Sequence, residues 1–245
     1  MVANIARALA PSGVLRAGIN LSNFLLVTNP RGPNGPQGVA PSMAAHLAKT
    51  LDVPLELVPY KNPGLLADAA ERDEWDVGLI GAEPKRATAI AFTQPYVEIL
   101  ATFLVPQDSP LRSIDDIDQA GVRVAVSNRA AYCLWLEDHL KQATLIPTAE
   151  PGLDLSRELY LSQNCDALAG LRPWLLSQQA ELPGSTVLDG SFTSVQQAIG
   201  VPRQRADGGA SLWLEHFVGE AIASGLVAEL IEQHGVTGRL SVAPG

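Results

Sequence analysis

The chain has 245 residues, 47% of them apolar and 18% charged, with a net charge of −9. That composition excludes a disordered chain and supports a large buried core, at a length suited to two modest domains. The acidic balance lacks the basic footprint that nucleic acid or an anionic membrane surface requires, which leaves a small-molecule partner.

The first residues, MVANIARALAPSGVLRAG, form a broken apolar run without a cleavage-site pattern, so no signal peptide is expected. As written the chain reads as cytoplasmic, and as periplasmic if it is a trimmed mature form. No run approaches the ~20 apolar residues of a membrane span. The two cysteines, Cys133 and Cys165, are expected to be small buried hydrophobes.

Short apolar runs alternate with helical patterns along the chain, the mark of an α/β protein. Residues 14–20 predict a strand, and the Gly/Pro/Asn-rich residues 28–38 a loop. A helix follows with Met43, Leu47 and Leu51 on one face, then a strand at 55–60, a helix at 65–71 and a buried strand at 75–81. Glu83-Pro84 reads as a helix entry with Pro at the first helical position, placing Arg86 in the first turn beside free N–H groups. Pro95 then biases Gln94 away from helical angles and turns the chain into an extended segment.

A second series begins after residue 110. Ser113-Ile114-Asp115-Asp116 resembles a capped helix start, and Gly121 ends it. Strands are expected at 122–127, around 145–146, at 165–170 and at 185–189, with helices at 130–142, 153–163 and 173–180. The tail carries a helix over 211–225, with Leu214, Phe217, Val218, Ala221 and Ile222 on one stripe and Gly225 as a left-handed cap, then a helix over 226–234.

Several motifs are then familiar in their order: S-G-V-L-R-A-G-I, G-V-x-x-x-M-A-x-x-L-A, W-D-V-G, P-K-R-A-x-x-I-A-F-T-x-P-Y, V-P-x-x-S-P-L-R-S-I-D-D-I and G-V-R-V-A-V. Over residues 12 to 235 the chain resembles family 3 solute-binding proteins, the polar-amino-acid binding proteins of ABC importers. The resemblance implies a two-lobed α/β fold of the periplasmic-binding-protein type II class. Residues 1–103 and 195–245 would form one lobe and 107–190 the other, with hinge strands near 101–107 and 190–197 and a ligand cleft between lobes. It implies a small carboxylate-bearing ligand, hinge closure upon binding, a monomer, an ABC permease as partner, and neither catalysis nor a cofactor.

By the same resemblance, Arg86 would fork onto a ligand carboxylate. The Ser/Thr-x-Thr run that usually precedes this Arg is replaced by Gly81-Ala82-Glu83. Glu83 would either meet a ligand ammonium or cap the helix with its charge. Asn128, Arg129 and Ala130 follow a strand and open a helix, where family members commonly carry Gly-Ser or Gly-Thr at the last two positions. Leu171 stands where the family places an Asp for the α-amino group, and Arg172 follows it. Ser42 replaces a further family Asp. Phe24 is the aromatic best placed to pack on a ligand, with Tyr60 and Trp174 as weaker candidates.

Two other functions fit the fold. A cyclohexadienyl dehydratase would need a placed acid or base, for which Glu83 is the one candidate. A cytoplasmic sensor would need an output domain, and both lobes already use the whole chain. His46, His139, His216 and His234 fall on helical patterns without metal-like pairing.

Overall fold

The chain opens with a helix that its broken apolar run conceals: α1, Val2–Leu9. β1 (Leu15–Asn20) follows as expected. The segment read as a loop is instead a hairpin, β2 (Asn29–Gly32) and β3 (Gly35–Gln37), pairing Asn29 with Gln37 and Gly32 with Gly35. Its Pro30 and Pro36 are tolerated because the ribbon is two-stranded and largely exposed, so neither must donate to a third strand. A Cβ at Gly32 would lie 2.6 Å from the Gly35 carbonyl, which keeps that position glycine.

α2 (Val39–Leu51) buries Met43, Leu47 and Leu51 and stops at Asp52, whose left-handed backbone returns its N–H to Ala48 and Lys49. β4 (Leu55–Tyr60) leads to α3 (Pro63–Asp68), which starts two residues before the expected Leu65 because Asn62 caps it, accepting the Leu65 N–H at 2.9 Å. β5 (Val77–Gly81) is fully buried. β1 lies between β4 and β5 and pairs in parallel with both.

The W-D-V-G motif assembles this sheet. Trp75 is completely buried and donates its indole N–H to the Leu66 carbonyl at 3.0 Å. Its ring lies on two glycines: a Cβ would meet it at 3.1 Å from Gly18 and at 3.0 Å from Gly78. Asp76, also without exposure, accepts the Arg16 backbone N–H on Oδ2 at 2.8 Å, and on Oδ1 the guanidinium groups of Arg16 at 2.7 Å and Arg205 at 2.9 Å. Two guanidinium groups thus compensate one buried carboxylate.

No α-helix begins at Pro84. Residues Arg86–Thr88 form one 3-10 turn, and the chain becomes strand β6 (Ile90–Pro106) immediately afterward. The β-branched and aromatic run of 90–105 takes an extended form, with Pro95 inside it, and outweighs the entry signal.

The second series contains β7 (Arg123–Val126), α4 (Ala131–His139), β8 (Thr144–Pro147), α5 (Leu153–Ser162), β9 (Ala167–Leu171), α6 (Arg172–Glu181) and β10 (Ser185–Val187). A single 3-10 turn at Ile114–Asp116 carries the expected capping box, with Ser113 and Asp116 bonded reciprocally. β7 pairs in parallel with β8 and β9, while the second half of β6 runs antiparallel to β9 and β10. β11 (Thr193–Pro202), α7 (Gly208–Ala223), α8 (Leu226–Gln233) and β12 (Ser241–Val242) complete the chain. Gly225 is left-handed, as expected, at the junction of the two helices. β11 pairs with β5, and β12 with the first half of β6 at Val97 and Glu98.

This computed structural model describes residues 2–206 and 208–244. The chain divides into two units, Met1–Glu98 with Gln196–Gly245 and Ile99–Val195, and passes between them within β6 and β11. Both units are α/β. Cys133 and Cys165 are free thiols, both buried. Among the described residues no helix is long and apolar enough to cross a membrane, and no three His, Cys, Asp or Glu side chains are arranged to hold a metal ion.

Candidate ligand-binding site

In the first unit the expected site residues gather after β5. Gly81 is the last residue of that strand and pairs with Gln197 of β11. The Ala82 N–H extends the ladder to the Gln196 carbonyl at 2.8 Å. The Glu83 carbonyl then accepts the N–H groups of Arg86 and Ala87, at 3.0 and 2.9 Å, which closes the turn. Those two amides are therefore occupied, and the cluster of free helical N–H groups expected beside Arg86 is not formed.

Arg86 itself is 6% exposed, and its Nη1 donates to the Gly81 carbonyl at 2.8 Å. Arg86 and Asp76 are the two charged residues in the buried set of the described chain. A guanidinium is costly to bury unless its donors find acceptors, so this contact orients the fork as well as satisfying it. Lys85, its neighbour, is exposed.

Phe24 sits in a loop held by Asn23, whose side chain accepts the N–H groups of Leu25 and Leu26 at 3.2 and 3.3 Å. The ring is half-buried, with the Arg239 guanidinium 5.4 Å from its centroid. That cation–π contact occupies one face of the aromatic proposed from the sequence. Tyr60 and Trp174 are buried, and Tyr60 donates its hydroxyl to Glu74 at 3.0 Å. Burial and this carboxylate together push the Tyr60 phenol well above its ordinary value.

In the second unit, the Asn128 N–H donates to the Thr148 hydroxyl at 3.0 Å. Arg129 adopts a left-handed backbone with φ of 57°, a conformation that costs a residue with a Cβ roughly 1–2 kcal/mol. The glycine implied by the resemblance at this position would adopt it freely. Ala130 is the N-cap of α4 and supplies no side-chain cap.

Leu171 is 7% exposed, ends β9 and pairs with Ala101. Arg172 starts α6, but its Nη1 donates to the Leu188 carbonyl at 2.8 Å and, more weakly, to Gly190 at 3.4 Å. Asp189, fully exposed, lies 3.7 Å from its Nη2. This arginine fastens the 188–190 loop of its own unit, a role that its position in the sequence did not disclose.

One polar pair was missed entirely. The Ser42 hydroxyl lies 2.8 Å from His234 Nε2, across 192 positions of sequence. Burial lowers the His234 pKa from its ordinary value. No local pattern signals such a contact, since Ser42 merely occupies a helical position and His234 a helix end.

No curated protein sequence matches the chain. Among solved structures, it is similar to the P235GK mutant of ArgBP from T. maritima, at 19% identity over 94% of this chain and 99% of that one, with a TM-score of 0.71. It is also similar to AbpA from Streptococcus pneumoniae Canada MDR_19A, an amino acid ABC transporter substrate-binding protein bound to L-arginine, at 18% identity over 93% and 97%, TM-score 0.72. A third is the ancestral amino acid-binding protein AncCDT-1, a precursor of cyclohexadienyl dehydratase, at 22% identity over 93% and 98%, TM-score 0.70. At these identities the likeness establishes the fold, which is the two-lobed α/β type II class. Residues 22–237, spanning the turn that seats Arg86, the β9–α6 junction and the helix that His234 caps, match the model of one family. The chain belongs to the bacterial extracellular solute-binding proteins, family 3.

Proposed function

We propose that the protein binds a small carboxylate-bearing solute, an amino acid or related organic acid, as the binding component of an ABC-type importer. The ligand would occupy the cleft that the sequence resemblance implies. The observation that carries this reading is Arg86, a buried guanidinium oriented by the Gly81 carbonyl within the P-K-R-A motif. A planar fork held this way suits the two oxygens of a carboxylate. The solved relatives support the same class, since one of them is bound to L-arginine. Glu83, Gly81, Ala82 and Phe24 would complete the first unit's share of the site, and Asn128, Arg129, Ala130, Leu171 and Arg172 the second's. The partner would be the importer's permease, the protein working as a monomer in the extracellular setting of its family.

Calorimetric titration with amino acids, dicarboxylates and keto acids, followed by Arg86 variants, tests this. Arg86→Lys keeps the charge but loses the fork and should weaken binding. Arg86→Ala should weaken it at least ~30-fold, corresponding to the ~2–5 kcal/mol typical of truncating one partner of a desolvated pair. Wild-type affinity in Arg86→Ala would remove Arg86 from the site. Turnover of prephenate or arogenate, abolished by Glu83→Gln, would replace binding by catalysis.

A further inference from the structure

The two units repeat one device and complete it differently. In the first, Asp76, just before β5, donates its N–H to the Arg16 carbonyl of β1 and accepts the Arg16 N–H on its carboxylate, over which the guanidinium groups of Arg16 and Arg205 close. In the second, Asp166 before β9 makes the same exchange with Arg123 of β7, at 2.8 and 2.9 Å. Arg123, however, turns its guanidinium to the carbonyl and side chain of Gln163, at 2.7 and 3.0 Å. Asp166 Oδ1 makes no hydrogen bond, and neither Asp166 nor Asp108 has an ion pair within the described residues.

Where Arg205 closes the first unit, the second has a groove of about 460 Å³, lined in part by Asp108, Ser109, Tyr160, Leu161, Asn164 and Asp166. That volume falls in the range of small-molecule sites. Tyr160 is only 6% exposed, yet its phenol lines the groove without a hydrogen-bond partner. The ring is buried while the hydroxyl is not among the buried unpartnered atoms, so its oxygen reaches the groove and can bond a donor, an acceptor or a cation from outside. Burial, with Cys165 and Asp166 nearby, pushes that phenol up to about 12. The groove is at the N-terminal end of β9, about 13 Å along the strand from Leu171, so it is distinct from the carboxylate site proposed above.

We propose that this groove is a second binding site, for an organic cation of the guanidinium or primary-ammonium class, paired with Asp108 and Asp166, bonded to the Tyr160 hydroxyl and laying its alkyl shaft against Leu161. The first unit supplies the precedent, because a guanidinium occupies the equivalent position there. The cation has two sources, a free small molecule or a basic side chain of a partner protein.

The test is an amide-resolved NMR titration with agmatine, which carries no carboxylate for Arg86 to hold, and in parallel with the capped peptide acetyl-Gly-Arg-Gly-amide. Shifts at the amides of Asp108, Ser109 and residues 164–166 are expected, and they should weaken with added salt. Asp108→Asn and Tyr160→Phe should each lower affinity about threefold, given the exposure of Asp108. Arg86→Ala should leave it unchanged, so failure of the proposed solute site and failure of this one are separable. Tyr160→Phe breaks no internal bond and should keep the thermal midpoint, which guards against misfolding as the explanation. Tighter agmatine binding supports a free cation, and tighter peptide binding supports a partner's side chain. If neither probe moves these amides, or both variants bind as wild type does, the site does not exist.

Discussion

Replacing Asp76 by Asn exchanges one carboxylate oxygen for an amide nitrogen at a side chain with no solvent exposure. The carboxylate accepts from the Arg16 backbone at 2.8 Å, from Arg16 Nη2 at 2.7 Å and from Arg205 Nη1 at 2.9 Å. Asn can keep the backbone bond with its remaining oxygen, but its NH₂ then faces guanidinium donors that it cannot accept. Two charge-assisted bonds are lost, each worth ~1.5–3 kcal/mol, and two partly buried cations lose their counter-charge. The sum is about 3–6 kcal/mol, which overlaps the ~3–5 kcal/mol found when one member of a buried ion pair is removed. Calorimetry should show the melting temperature of the first unit falling by about 10 °C. Arg205→Met leaves Arg16 in place and should cost less, about 1–2 kcal/mol. The double variant should fall well short of the sum, because both changes break the same contacts. An Asp76→Asn protein within ~1 kcal/mol of wild type, or strict additivity with Arg205→Met, would refute the account of a carboxylate compensated by two arginines.

Three further outcomes follow from local geometry. Gly78→Ala places a methyl 3.0 Å from the Trp75 ring and 3.1 Å from Leu66, and this overpacking should cost about 1–3 kcal/mol in urea unfolding. Tyr96→Phe removes a buried hydroxyl that has no hydrogen-bond partner, so it should be neutral or stabilising by up to ~1 kcal/mol by the same assay. Burial holds His234 below its ordinary pKa of 6.5, so the unfolded chain binds the proton first as pH falls. Its contribution to stability is therefore full above that value and is lost as pH drops toward the lower folded-state value; His234→Gln should flatten the dependence of the urea midpoint on pH in this window.

The elements legible in the sequence are those whose local pattern and tertiary environment agree. β5 reads as buried because it is continuously apolar, and α2 reads as amphipathic because Met43, Leu47 and Leu51 recur at helical spacing. The β2–β3 hairpin was hidden because Pro30, Pro33, Pro36 and three glycines spell a loop, and its strands pair only with each other. At Pro84 two local signals compete, and the extended preference of the following run prevails over the helix entry. For the site, Arg86 was visible through its motif, whereas its burial against Gly81 was not. For Arg172 the strand-end position was legible, whereas the carbonyls of residues 188 and 190 that hold its Nη1 were not. Contacts such as Ser42 with His234, or Asp76 with Arg205, join distant positions and leave no mark on either neighbourhood.

The division of the chain has a consequence for biosynthesis. The second unit is one uninterrupted stretch, Ile99–Val195, whereas the first is assembled from Met1–Glu98 and Gln196–Gly245. On the ribosome the middle stretch can acquire its full set of partners while the C-terminal fifty residues are still being made. The N-terminal stretch must wait: β5 lacks β11, Asp76 lacks Arg205, and β6 lacks β12 until the last residues emerge. The unit translated first is the last to be completed, and in that interval its uncovered β5 edge is the part of the nascent chain most in need of a chaperone.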